Sequence, residues 1–256
     1  MNKRTGIFTG IFVSLSIISC VPNSYNQQIT PVSLLQKSRP HLKTTRVIVG
    51  LDPKNTNNFI AQQAGSSGQQ YGLLGVLIES AMLNVINSDK QKQAQLMSPI
   101  RTAAIDFNFG SQFRGELAKK IRKVDWLKTS SVSKAPGFQR FNAGPIIHET
   151  EDDSVLVSDV FYKMEEDFSK MTFTSIVTIY PKKNALKVLA KKSDPESEHP
   201  VLYQNKFVYT YNYEKNYQSS HMAAQGWASN NAAMVHRALE NGVINVTKLI
   251  TKDLHI

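Results

Sequence analysis

Hydrophobic and polar positions change period three times along this chain. At the amino terminus Lys3 and Arg4 precede an apolar run from Ile7 to Ile18. The run is short for a bilayer span and has the basic-then-apolar layout of an export signal. Residues 21–41 carry Pro22, Pro31 and Pro40 among Asn, Gln and Ser, a composition that buries little apolar surface and predicts a tether. Lys43 to Leu51 (KTTRVIVGL) is β-branched and is closed by Gly50, Asp52 and Pro53, which predicts a first strand with its stop signal.

Helical periodicity follows. After a Gly/Ser/Gln-rich connector at 61–70, the segment 71–87 (YGLLGVLIESAMLNVIN) is the most apolar stretch beyond the signal and holds Glu79 in its middle. Seventeen residues are few for a membrane span, so a buried helix is the leading reading. A membrane-dipping segment or an oligomerisation face is the alternative. Gly72 and Gly75 would let another backbone approach closely, with Leu77 beside them. The polar continuation extends the helix until Pro99 bends or ends it. Ser111 to Val124 is the clearest amphipathic helix. Phe113, Leu117, Ile121 and Val124 form one stripe, and Arg114, Glu116, Lys119, Lys120, Arg122 and Lys123 point away. Glu116 and Lys120 are spaced for an i,i+4 pair.

From Trp126 the period falls to two. Segments 127–133, 155–164, 172–180, 185–191 and 201–213 read as extended, with turn chemistry at EEDFSK (165–170), PKKN (181–184) and SDPESEHP (193–200). Connections that short favour antiparallel neighbours. In the last strand Phe207, Tyr209, Tyr211 and Tyr213 share one face, which suits either a stacking platform for a ligand or packing beneath the helix that follows. That helix is predicted from Ser229 to Leu254. Ser229 or Asn230 serves as N-cap, and Val235, Leu239, Val246, Leu249, Ile250 and Leu254 line the buried side. Gly242 inside it costs about 1 kcal/mol of helix propensity and marks close packing or a kink. The fold class is therefore α+β: a mainly antiparallel sheet, with a meander of about four strands plus one or two amino-terminal strands, covered by amphipathic helices.

Composition narrows the function classes. With 256 residues, 41% hydrophobic and 20% charged, the chain is globular and not disordered, collagen-like or polytopic. Lys plus Arg at 30 against Asp plus Glu at 20 gives +10, which points to anionic neighbours. The single cysteine, Cys20, permits no intramolecular disulfide and no multi-thiolate metal site.

Catalytic signatures are missing from the sequence. His41, His148, His199, His221, His236 and His255 fall in no HExxH or HxH spacing. The run IIHETEDD around His148 sets an imidazole beside carboxylates, but adjacent loop residues point in different directions, and a solvated strand lead-in is the simpler reading. There is no GxSxG, Walker-type or GxGxxG motif. Glu165, Glu166 and Asp167 lie in a predicted turn. No catalytic residue, metal ligand or cofactor is assigned.

Ile17-Ile18-Ser19-Cys20, placed behind the basic and apolar regions, resembles the lipobox of bacterial lipoproteins. That resemblance implies diacylglycerol on the Cys20 thiol, removal of residues 1–19 and usually acylation (palmitate-type) of the freed amine. Two or three chains at about 0.8 kcal/mol per buried methylene anchor a protein in effect permanently. It also implies an outer-membrane address on the periplasmic face, since Val21 stands where inner-membrane lipoproteins of enterobacteria commonly have Asp. The organisation is then a signal peptide at 1–19, a lipid-anchored tether at 20–41 and one α/β domain at 42–256. The element order of that domain is similar to the small α/β domain of the curli-secretion lipoproteins and of the lipoprotein activators of penicillin-binding proteins. What the resemblance implies is a non-enzymatic assembly or interaction module. It would be held at the membrane by Cys20, with an envelope protein, peptidoglycan or anionic glycolipid as partner and homo-oligomers allowed. Export disfavours nucleic acid. The alternatives are a lipid-anchored hydrolase or glycan-processing enzyme with a discontinuous site, and an oligomeric secretion or pore component that uses 71–87.

Overall fold

The computed structural model describes residues 29–51, 98–135, 144–165, 168–191, 199–213 and 219–255. Cys20, the signal segment, and the 71–87 stretch with Gly72, Gly75 and Leu77 lie outside the described residues.

Among the described residues five strands form one mixed sheet in the order β2-β1-β3-β4-β5. They are β1 (Thr45–Leu51), β2 (Thr129–Lys134), β3 (Ser154–Met164), β4 (Lys170–Pro181) and β5 (Tyr203–Asn212). β1 runs parallel to both β2 and β3, while the long strands β3, β4 and β5 make an antiparallel meander. Parallel neighbours need crossovers. The β1-to-β2 connection includes helices α1 (98–106) and α2 (Phe109–Ile121), and α3 (Gly144–Glu149) precedes β3. A short α4 (Asn184–Lys187) follows β4, and α5 (Ser220–Leu254) closes the chain.

Helices α2 and α5 lie against each other, and α5 packs on β4 and β5. Alternate residues of the sheet face them: Val47 and Val49, then Leu156, Val160 and Tyr162, then Phe173, Val177 and Ile179. The stripe Phe113, Leu117, Ile121 and Val124 is 0–1% exposed, so the 3.6 period placed α2 correctly. Two pairs of hydroxyls buried within the sheet bond each other, Ser158 with Ser175 at 3.0 Å and Thr45 with Ser154 at 2.8 Å, as burial of a polar group favours.

Three expectations change. Segment 185–191 is not a fourth meander strand. It is the turn of helix α4, in which Leu186 is 0% and Val188 81% exposed. Ala, Leu and Lys favour helix, and a single buried leucine gives a strand no face to bury. The terminal helix, expected from Ser229, is preceded by an unpredicted first arm from Ser220, and the arm that carries the predicted stripe begins after Ala232, close to the expected start. Ser229 and Asn230 instead sit in a joint where Asn230, Asn231 and Ala232 adopt φ of 51°, 54° and 56°. Asn tolerates that left-handed region, and Ser229 Oγ closes the first arm by donating to the Gly226 carbonyl at 2.7 Å. Leu249, assigned to the buried stripe, is 38% exposed, because Val243, Val246, Ile250 and Leu254 take that side. Gly242 does mark close packing: a Cβ there would sit 2.4 Å from the Phe173 ring.

Candidate functional site

The two ends of the sheet differ in chemistry. At one end β1, β2 and β3 begin together, β4 finishes and β5 begins. The register fixes this through Thr45 opposite Thr129 and Ser154, Ser154 opposite Pro181, and Ile179 opposite Tyr203. Four leucines plug the gap between sheet and helices at this strand-start end. Leu42, Leu127, Leu186 and Leu254, each from a different connection or helix end, are all 2% exposed or less.

Polar groups lock the plug. Asp153, just before β3, accepts the backbone N–H of Lys43 at 2.9 Å and of Thr44 at 3.2 Å through Oδ2, and its Oδ1 pairs with Lys183. Its own carbonyl takes the N–H groups of Lys182 and Lys183. Burial by itself would raise the Asp153 pKa, but the Lys183 bond and charge and the two backbone N–H groups together hold it below the usual carboxylate value. Tyr203 donates its hydroxyl to Asp253 near the carboxyl end of α5 at 2.5 Å, and Asn205 reaches the same oxygen at 3.3 Å. Burial and then this bond push the Tyr203 hydroxyl pKa well up. Trp126 donates its indole N–H to the Leu254 carbonyl at 2.7 Å, meeting one of the unpaired carbonyls of a helix end. Arg39 covers the indole with its guanidinium carbon 5.1 Å from the ring centroid.

The start of the described chain is fastened to this end as well. Val32, within the segment predicted as tether, is 7% exposed and exchanges two backbone hydrogen bonds with Gln204 at the start of β5, of 2.8 and 2.9 Å. A 3-10 turn at Gln36–His41 follows, with Ser38 fully buried and its hydroxyl on the Leu35 carbonyl. Around the plug stand the exposed side chains of Lys37, Lys43, Lys128, Lys187, Lys191 and Lys252.

The opposite end is aromatic. Phe109, Tyr162, Phe173 and Tyr209 stack or tilt against one another with centroids 4.8–6.1 Å apart. Trp227, fully buried on the first arm of α5, lies 5.2 Å from Tyr213 and 6.1 Å from Tyr211. Its indole N–H donates at 2.8 Å to the carbonyl of Phe168, a turn residue with φ of 58°. On the aromatic face of β5 Phe207 is buried, and Tyr209, Tyr211 and Tyr213 are half-buried against the core beside α5.

The other residues singled out from sequence separate in space and role. Of the IIHETEDD run, Asp153 is the structural knot, while His148, Glu149 and Glu151 are exposed and Asp152 bonds Thr150. Lys182 reaches the His148 carbonyl at 2.8 Å and not its ring. Glu165 pairs with Lys163 at 3.1 Å; Glu166 and Asp167 lie outside the described residues. Glu116 pairs with Lys120 at 3.2 Å. Lys120 does not point away from the fold, however, since its ammonium also bonds the Ile244 carbonyl and the Thr247 hydroxyl on α5, both at 2.9 Å. Among the described residues no group of three or more His, Cys, Asp or Glu could hold a metal ion, and no helix is long and apolar enough to cross a membrane.

No protein-family model matches the chain, and neither does any curated protein sequence. Among solved structures, the PelC dodecamer from Paraburkholderia phytofirmans aligns with 86% of this chain and 96% of that chain, at 8% identity and a TM-score of 0.31. A likeness that slight bears on neither fold nor function.

Proposed function

We propose that this chain is a lipoprotein of the bacterial cell envelope. It is fastened through Cys20 to the periplasmic face of the outer membrane, and its α+β domain serves as an assembly or interaction module without catalysis of its own. The observation that carries the reading is the order Lys3-Arg4, apolar run Ile7–Ile18, then Ile17-Ile18-Ser19-Cys20, with no second cysteine in the chain. The domain supports it in one respect. Two carboxylates at the strand-start end serve the fold, Asp153 bonded to Lys183 and two N–H groups and Asp253 to Tyr203 and Asn205.

The test is metabolic acyl labelling of the wild type against Cys20→Ala, with membrane fractionation. Label on the wild type alone, and release of the variant from the membrane fraction, is the expected result. An unlabelled wild type, or a mature chain that starts elsewhere than Cys20, overturns the proposal.

A further inference from the structure

We propose that the strand-start end of the domain is a docking face for the phosphate headgroups of an anionic lipid surface. This deepens the anchored-lipoprotein reading by giving the domain an orientation on its membrane. Two observations carry it.

The first is charge. Lys37, Lys43, Lys128, Lys187, Lys191 and Lys252 surround the leucine plug, and all six are exposed. Of the acids that share this end, Asp153 is buried and paired with Lys183, while Asp253, bonded by Tyr203 and Asn205, and Asp152, bonded by Thr150, are half-buried and keep their charge. Among the described residues Asp125, Glu149 and Glu151 are the exposed acids nearby in sequence. Lysine, a compact and strongly hydrated point charge on a flexible stem, suits a fluid layer of phosphates better than one fixed ligand.

The second is the position of the chain entry. Val32 is pinned at Gln204, beside the same plug. A stretch from Cys20 to Val32 reaches at most about 40 Å even when fully extended, so a lipid on Cys20 brings this end, and not the aromatic one, within a short leash of the bilayer. A leash of that length lets this end come down to the leaflet, and basic side chains that approach within about 10 Å at 0.1 M salt then each contribute to binding.

The test separates this face from the lipid anchor by using the chain from residue 20 with Cys20→Ser, which carries no acyl group. Its binding to phosphatidylethanolamine vesicles with and without phosphatidylglycerol is followed by co-sedimentation at low and high salt. The expected result is binding only to the phosphatidylglycerol vesicles, lost at high salt. Lys37→Gln/Lys187→Gln/Lys252→Gln should weaken it about a hundredfold, from roughly a factor of five per lysine. The control Lys163→Gln/Lys206→Gln/Arg237→Gln, with the same charge change elsewhere on the domain, should lose much less. Thermal unfolding of both triple variants checks that they fold. Absence of binding, equal binding to both vesicle types, or equal loss in the two triple variants overturns the docking face. Acyl labelling of the native chain is unaffected by any of these outcomes, so failure of the anchor and failure of the face are distinguishable.

Discussion

Each end of α5 is held by a tryptophan N–H bonded to a backbone carbonyl, yet the two ends are stabilised by different forces. Trp227 is fully buried among Tyr211 and Tyr213 and ties the first arm of the helix to the β3–β4 turn. Trp126 is only half-buried. It ties the last carbonyls of the helix to the segment before β2 beneath an arginine. The aromatic end rests on removal of large side chains from water, and the strand-start end on a few leucines locked by charged and polar bonds. The first kind of stability carries no titrating charge and is not screened by salt. The second does and is, and an end that presents lysines to solvent is the one that conditions can adjust.

Three experiments would break or sharpen that contrast. The largest effect is expected for Trp227→Ala, which empties a fully buried site and orphans the Phe168 carbonyl. It should cost about 4 kcal/mol in urea unfolding followed by circular dichroism. A loss below about 1 kcal/mol would mean that the aromatic end is not a core. Next is Asp153→Asn, expected to cost about 2 kcal/mol at neutral pH. The Lys183 share of that figure is small because its side chain is half exposed. Since the folded-state pKa of Asp153 lies below its unfolded value of about 3.9, its contribution is complete above that value and is lost as pH falls through the folded one. The wild type should therefore lose stability below about pH 4 more steeply than Asp153→Asn. Parallel curves for the two proteins would remove Asp153 from the lock. The smallest effect belongs to Trp126→Phe, which keeps an aromatic ring under Arg39 and deletes one hydrogen bond to the Leu254 carbonyl. About 1 kcal/mol is expected, measured the same way.

What was legible in the sequence was local periodicity. The α2 stripe, the limits of β1, β3 and β4 to within two residues, and the close packing at Gly242 all follow from side chains that repeat at 3.6 or 2.0. Long-range pairing was not. That β1 and β2 are parallel, and that β1 and not β2 lies beside β3, depends on crossovers whose handedness and length leave no residue signature. Segment 185–191 misled because Ala185, Leu186 and Val188 fit either period over so few residues. The leucine plug was likewise hidden. Leu42, Leu127, Leu186 and Leu254 come from four separate places in the chain, and Asp153 sat in an acidic run whose composition argued for solvent. An aspartate immediately before a strand of buried residues, with lysines at the far end of its neighbour, was the signal that was present.

The fastening of Val32 to Gln204 has a mechanical consequence. Any pull that arrives along the chain from its amino-terminal side loads two backbone hydrogen bonds at the rim of β5 before it reaches the 3-10 turn or β1. That bridge can let go while the meander keeps its register. Residues 32–35 would then run out as slack, and the globule would drift farther from whatever holds the chain without unfolding.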